Sequence, residues 1–158
     1  MPKLHALQKE DTFHQARSRL VDAFAKLESR LVRSLNRAGK PIKGDTVATK
    51  LKTLREAATD ASISASGISF DRLGALISIR ADLVHGEMIL VDVDGERFAS
   101  FRNARESIEM AQRATFISYN HLKVLAEQLD ANSSVLDDLK FTPMNLPKSV
   151  ATTESIAA

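Results

Sequence analysis

One apolar repeat dominates the N-terminal part of the chain. Large apolar side chains recur at steps of three and four residues, at Leu20, Phe24, Leu27, Leu31 and Leu35. Steps of three and four bracket the 3.6-residue turn, so these side chains share one face of an α-helix. Thr12 with Gln15 is a capping-box pattern, and Gly39 and Pro41 stop a helix. The sequence therefore predicts a long helix over residues 12–38, whose apolar face has to be buried.

Two more helices are predicted before residue 86. Asp45 is a candidate cap for the second, whose apolar stripe consists of Val47, Leu51, Leu54 and Ala58. Residues 59–69 are small and polar, which favours a loop. Ser69 is a candidate N-cap for the third helix. Gly86 is a natural residue to follow a helix, so this helix is expected to end at His85.

The periodicity of the apolar residues changes from helical to strand-like after Gly86. Residues 88–101 are rich in β-formers around the dipeptide Asp94-Gly95, which is typical of a type I′ hairpin turn. A two-residue turn there pairs Asp92 with Arg97. A two-stranded hairpin alone is marginally stable, so it is expected to lie against the helices or against a partner.

The remaining chain predicts one more long helix. Asn103 and Glu106 form a cap-like pair, and the helix is expected to run to about residue 130. Its apolar positions are Ile108, Ala111, Thr115, Leu122, Leu125 and Leu129. Val135, Leu136 and Leu139 extend it or begin a short extra helix. Residues 141–158 are expected to be a tail, flexible at its end. The predicted fold is all-α: a bundle of four main helices with a β-hairpin insert at about 88–101, within one domain of residues 1–140.

Composition narrows the class of protein. The 158 residues are 44% hydrophobic and 27% charged, which suits one soluble domain. The absence of cysteine excludes disulfides and thiolate metal sites. The four histidines lack metal-ligand spacing, so neither a metal nor a cofactor is expected. No apolar run reaches the roughly 18 residues of a membrane span. A cytoplasmic protein without a membrane partner is the expectation.

Charge is unevenly distributed along the chain. Residues 17–55 carry eleven Lys and Arg against three Asp and Glu, a local +8, whereas residues 56–158 carry nine against fifteen, a local −6. This asymmetry indicates either a surface for an anionic partner such as nucleic acid, or two halves that attract each other in the fold or across a dimer.

The first predicted helix carries a basic stripe, which we define as Lys26, Arg30, Arg33 and Arg37. These residues repeat at steps of four, three and four, about 100° from the Leu27, Leu31 and Leu35 line. Guanidinium groups match phosphate oxygens, so the stripe is a candidate RNA-binding surface. The alternative is an ordinary solvated face.

Residues 79–88 read "IRADLVHGEM" and hold the candidate site. Arg80 and His85 lie about 140° apart around a helix, from where both can reach one groove. The structural alternative is that His85 interacts with the carbonyls of the helix end, while Arg80 pairs with Asp82 or Glu87.

The seven residues from Arg80 to Gly86 read R-x-x-x-x-H-G and resemble the motif of the HEPN superfamily of helical-bundle, nucleotide-binding domains. The likeness extends in architecture over about residues 12–130. It implies a homodimer in which two such motifs face one cleft. It also implies metal-independent endoribonuclease activity of the toxin–antitoxin or defence type, with an antitoxin or another protein as a partner. By this resemblance His85 is the general acid or base, Arg80 stabilises the phosphate, and Asp82 is a third candidate catalytic residue.

One position departs from the family pattern. Active members often carry a polar residue directly after the arginine, whereas this chain has Ala81, four residues before His85. The sequence therefore leaves three functions open: a ribonuclease, a non-catalytic module that binds RNA or protein, and a structural helical scaffold.

Overall fold

The computed structural model describes residues 2–40, 42, 46–61, 63, 68–102 and 115–141. Its helices are α1 (Pro2–Arg37), α2 (Val47–Asp60), α3 (Phe70–Ser78), α4 (Arg80–His85) and α5 (Tyr119–Ser134), followed by a 3-10 helix (Val135–Asp138). Its strands are β1 (Glu87–Val93), β2 (Glu96–Arg102) and β3 (Thr115–Ser118). They form one antiparallel sheet in the order β1-β2-β3. The prediction of an all-α protein is therefore only partly right: the fold is mostly helical, but it includes a three-stranded sheet.

α1 begins ten residues before the predicted start, at Pro2 instead of Thr12. Proline is well suited to a first helical position, and residues 3–11 contain neither glycine nor proline to interrupt the helix. The prediction that Thr12 caps this helix is therefore wrong. The predicted end is confirmed within one residue: the N–H of Lys40 donates to the carbonyl of Leu35 (3.0 Å), and Gly39 has φ +64°. This is a Schellman cap, which needs the left-handed backbone that glycine allows.

The second and third predicted helices form with small changes. The hydroxyl of Thr46 accepts from the N–H of Thr49 and caps α2, whereas the predicted cap, Asp45, lies outside the described residues. Ser69 caps α3 as predicted. The predicted third helix is divided at Ile79 into α3 and α4, and α4 ends at His85 as expected.

The hairpin is confirmed in turn type and register. Asp94 has φ +50° and Gly95 has φ +80°, as a type I′ turn requires. Asp92 stands opposite Arg97, whose guanidinium donates to both carboxylate oxygens at 2.6 and 2.7 Å. This hydrogen bond raises the pKa of Arg97.

The predicted fourth helix is wrong over residues 115–118, which form β3 and pair with β2. The segment "TFIS" is rich in β-branched and aromatic residues, and β2 offers it an open edge for a second ladder of hydrogen bonds. The hydroxyl of Ser118 then accepts from the N–H of His121 and caps α5. The predicted cap at Asn103 and Glu106 lies outside the described residues, as do residues 142–158 of the predicted tail.

The core lies along α1, which packs against α5 and α2. The inner face of the sheet joins it through Ala99, Phe101 and Ile117. The 3-10 helix confirms the short extra helix that was one of the two alternatives, and its Leu136 is fully buried. Within the described part of the chain, no helix has both the length and the apolar character to cross a membrane.

Candidate functional site

The C-terminal end of α4 is held by Arg17 of α1. The Nε of Arg17 donates to the carbonyl of Leu83 (3.1 Å), and its Nη2 donates to those of Val84 (3.2 Å) and Gly86 (2.7 Å). A helix leaves its last carbonyls without partners inside the helix. The guanidinium therefore satisfies the end of α4 and places a positive charge at the negative end of its dipole.

Arg17 also contacts the sheet, because its guanidinium carbon lies 5.7 Å from the centre of the Phe101 ring. A cation over an aromatic face is stabilised by the ring quadrupole. No motif in the sequence singles out Arg17. Its position could have indicated its role, because it lies between the buried residues Phe13 and Leu20 on the apolar face of α1. An arginine on such a face needs hydrogen-bond acceptors for its N–H groups.

The N-terminal end of α4 is held by Glu28 of α1. One carboxylate oxygen of Glu28 lies 3.9 Å from Nη2 of Arg80, and the other accepts from Nζ of Lys50 of α2 at 2.7 Å. Glu28 follows Arg17 by eleven residues, which is about three turns, so both lie on one face of α1. α4 therefore contacts this face at both ends, through three hydrogen bonds at its C-terminal end and a long ion pair at its N-terminal end.

The contact between Arg80 and Glu28 is loose. Its side chain is 31% exposed, and the 3.9 Å ion pair is too long for a hydrogen bond. Its Nε is buried and has no hydrogen-bond partner in the structure as described. Arg80 thus keeps donor capacity that an oxyanion could use. Among the described side chains the residue paired with Arg80 is Glu28 and not Glu87, whereas the side chain of Asp82, the other alternative, lies outside the described part of the structure.

His85 is the last residue of α4 and is exposed. The structural alternative assigned it to the carbonyls of the helix end, but the guanidinium of Arg17 takes that role. Arg80 and His85 begin and end a helix of six residues, about 7.5 Å apart along its axis. Asp82 belongs to the same helix, but its side chain lies outside the described part of the structure.

The basic stripe faces the corner between α5 and the 3-10 helix. Arg30 donates to the carboxylate of Asp130 (2.8 Å) and to that of Asp137 (3.2 Å), and Arg33 donates to Asp137 (3.1 Å). Arg37 donates to the carbonyl of Asp137 (2.7 Å). Three of the four stripe residues therefore make contacts within the chain.

These contacts also change the pKa of Asp130. The hydrogen bond from Arg30 lowers the pKa of Asp130, and the positive charges of Arg30 and Lys26 lower it further, against an opposing effect of burial. Lys26 itself is exposed, as is Arg33. The stripe and the acidic end of α5 thus attract each other, which is the intramolecular interpretation of the uneven charge distribution.

The two candidate RNA-binding surfaces lie on opposite sides of α1. Glu28 and Arg30 are two residues apart on a helix, a rotation of about 200°. Arg80 contacts the Glu28 side, whereas the stripe faces the Arg30 side. A single short stretch of RNA cannot contact both.

Within the described residues, no group of three or more His, Asp and Glu side chains is placed to hold a metal ion. No protein-family model matches the chain, and no curated protein or solved structure matches it either. Family membership therefore stays a prediction from the residues of α4.

Proposed function

We propose that the chain acts on RNA through Arg80 and His85, as an HEPN-like metal-independent endoribonuclease of the toxin or defence type. One observation supports this most directly. Arg17 fixes the C-terminal end of α4 to α1, and α4 carries an exposed imidazole at this end and an incompletely paired guanidinium at the other. Side chains held on a fixed element are well placed to act on one substrate.

The chemistry follows from these two groups. A neutral imidazole of His85 removes the proton from a ribose 2′-OH, and the 2′-oxygen attacks the adjacent phosphorus. The bond from phosphorus to the 5′-oxygen breaks, and an imidazolium returns a proton to that oxygen. The products are a 2′,3′-cyclic phosphate and a 5′-hydroxyl. Arg80 stabilises the charge on the phosphoryl oxygens.

A homodimer belongs to the same proposal, because two copies of His85 in one cleft would provide the base and the acid on separate side chains. A protein antitoxin that covers this cleft would be the corresponding partner. Sedimentation equilibrium of the purified chain tests the dimer.

The activity is tested by incubating purified protein with mixed RNA in EDTA. We expect cleavage by the wild type and a loss of at least about 100-fold in His85→Ala, the usual contribution of a general acid or base. His121→Ala is the matched control, since His121 is an exposed histidine of α5. Equal cleavage by both variants, or none by the wild type, would remove the ribonuclease proposal.

A second candidate is a non-catalytic RNA-binding module on the same fold. It is favoured by Ala81, which places no polar side chain one turn before His85. This candidate predicts that RNA binding survives His85→Ala and weakens with rising salt. Binding lost in His85→Ala but kept in His121→Ala would exclude it.

A further inference from the structure

A cluster of three charged side chains lies where α1, α2 and α4 meet. It consists of Glu28, Lys50 and Arg80, with the carboxylate of Glu28 between the two cations. The side chain of Lys50 is only 11% exposed, and that of Glu28 is 36% exposed. Three separate elements therefore bring their charges to one partly buried point.

The charges of this cluster do not balance among the described residues. Two cations share one carboxylate, and the buried Nε of Arg80 has no hydrogen-bond acceptor. Buried polar groups are nearly always hydrogen-bonded, and a partly buried cation is costly without a counter-ion. An anion that approaches the exposed part of Arg80 would supply the missing negative charge.

The carboxylate of Glu28 lies closer to Lys50 than to Arg80. Its Oε1 lies 2.7 Å from Nζ of Lys50, but its Oε2 lies 3.9 Å from Nη2 of Arg80. Lys50 therefore holds the carboxylate by a short hydrogen bond and keeps it from forming a two-point pair with the guanidinium. A guanidinium left in this way can still donate hydrogen bonds to the oxygens of a phosphate.

We propose that this cluster is a phosphate-binding site in which Glu28 is a displaceable internal counter-ion and Lys50 is the positioning residue that holds it away from Arg80. The site rests on the proposed function in one respect, namely that the phosphate belongs to RNA. Glu28 competes with the phosphate for Arg80. Lys50 weakens that competition.

The first experiment measures binding of a fluorescein-labelled, 12-nucleotide single-stranded RNA whose riboses are 2′-O-methylated and therefore cannot be cleaved. Glu28→Gln should bind it on the order of tenfold more tightly than the wild type, because the negative charge that competes with the phosphate for Arg80 is removed. Glu56→Gln, an exposed residue of α2, makes the same change in net charge and should alter binding by less than about twofold.

The second experiment tests the role of Lys50. Lys50→Met should weaken binding more than Lys52→Met, since Lys52 is an exposed neighbour on α2. In the Glu28→Gln background the two lysine variants should become equal, because no carboxylate is left to be held. A purely structural role of Lys50 would leave the difference between them unchanged in both backgrounds.

Inorganic phosphate separates this proposal from the RNA proposal. Compared with chloride at equal ionic strength, phosphate should raise the Tm of the wild type, raise that of Glu28→Gln further, and leave that of Arg80→Met unchanged. If this occurs without RNA binding, the phosphate site stands and the RNA function fails. If Glu28→Gln equals Glu56→Gln with both probes, the phosphate site is refuted. If Glu28→Gln does not fold, equal RNA binding by Lys50→Met and Lys52→Met refutes it.

Discussion

Replacing Arg17 by alanine is the sharpest test of how α4 is held. The substitution removes three hydrogen bonds from the guanidinium, to the carbonyls of Leu83, Val84 and Gly86. It also removes the positive charge from the end of α4. No other described side chain is shown to satisfy these three carbonyls, so we expect the end of α4 to loosen and the whole fold to lose stability.

The magnitude follows from the contacts. Hydrogen bonds from charged donors contribute roughly 1.5–3 kcal/mol when buried, but carbonyls that regain water lose less, so about 1 kcal/mol each is a suitable value here. The contact of Arg17 with the Phe101 ring adds about 0.5–1 kcal/mol. Alanine returns a few tenths through its helix propensity. Arg17→Ala should therefore lower the free energy of unfolding by about 3 kcal/mol, and Arg17→Lys, which keeps the charge but not the fork geometry, by about half as much.

Urea denaturation measures this directly. With a slope of about 2 kcal/mol per molar urea, Arg17→Ala should lower the midpoint by about 1.5 M. Hydrogen exchange of the α4 amides should increase as well. Arg19→Ala is the control, because Arg19 is exposed two residues further along α1 and should change stability by less than about 0.5 kcal/mol. Equal midpoints for the two variants would refute the claim that Arg17 holds α4.

Three further outcomes test other parts of the fold. Asp137→Asn removes a carboxylate that Arg30 binds and should lower the free energy of unfolding by about 1 kcal/mol, allowing for its partial exposure, whereas the neighbouring Asp138→Asn should change it by less than about 0.5 kcal/mol in the same urea titration. The pKa of Asp130 is lowered by its hydrogen bond from Arg30, so the stability from this pair is complete above about pH 4 and is lost as pH falls through the lowered value. Asp130→Asn should therefore flatten the decline of the urea midpoint below pH 4, and an unchanged decline would contradict this assignment. Gly95→Ala should lower the free energy of unfolding by about 1 kcal/mol, because an L-residue at φ +80° is strained although nothing lies within 4 Å of the new Cβ. A neutral effect on thermal unfolding would argue against the type I′ turn.

Local patterns were sufficient to predict much of the fold. The steps of three and four along α1 and α2 predict which side chains are buried, because one face of a helix is defined by rotation alone. The Asp94-Gly95 turn predicts the register of β1 and β2, because a two-residue loop leaves one way to pair the strands. Ser69 predicts the start of α3 because its hydroxyl acts within the next three residues.

β3 was missed for a different reason. Its four residues precede a strong helical pattern, and their apolar spacing also fits a helix. What makes them a strand is the open edge of β2, a tertiary contact that the spacing of residues within β3 does not express. The prediction for Thr12 placed a helix start where the helix in fact continues. A capping-box pattern also occurs in the middle of a helix when the preceding residues can form a helix themselves.

The sequence predicts the helix that carries the candidate site, but not the residues that hold this helix in place. The pattern of residues 80–86 identifies Arg80 and His85, and both lie on one short helix as expected. The groups that hold this helix, Arg17 and Glu28, precede it by more than fifty residues. Such contacts depend on tertiary packing, which no spacing within the sequence expresses.

The structure also bears on which basic surface an RNA would choose. At the basic stripe a phosphate has to compete with carboxylates that accept hydrogen bonds, such as Asp130 at 2.8 Å from Arg30. On the opposite side of α1, a phosphate competes for Arg80 with a single carboxylate at 3.9 Å, which Lys50 already holds. A phosphate displaces a carboxylate more easily where the existing ion pair is longer. A phosphate is therefore expected to bind more easily at Arg80 than at Arg30, although the stripe contains more basic residues.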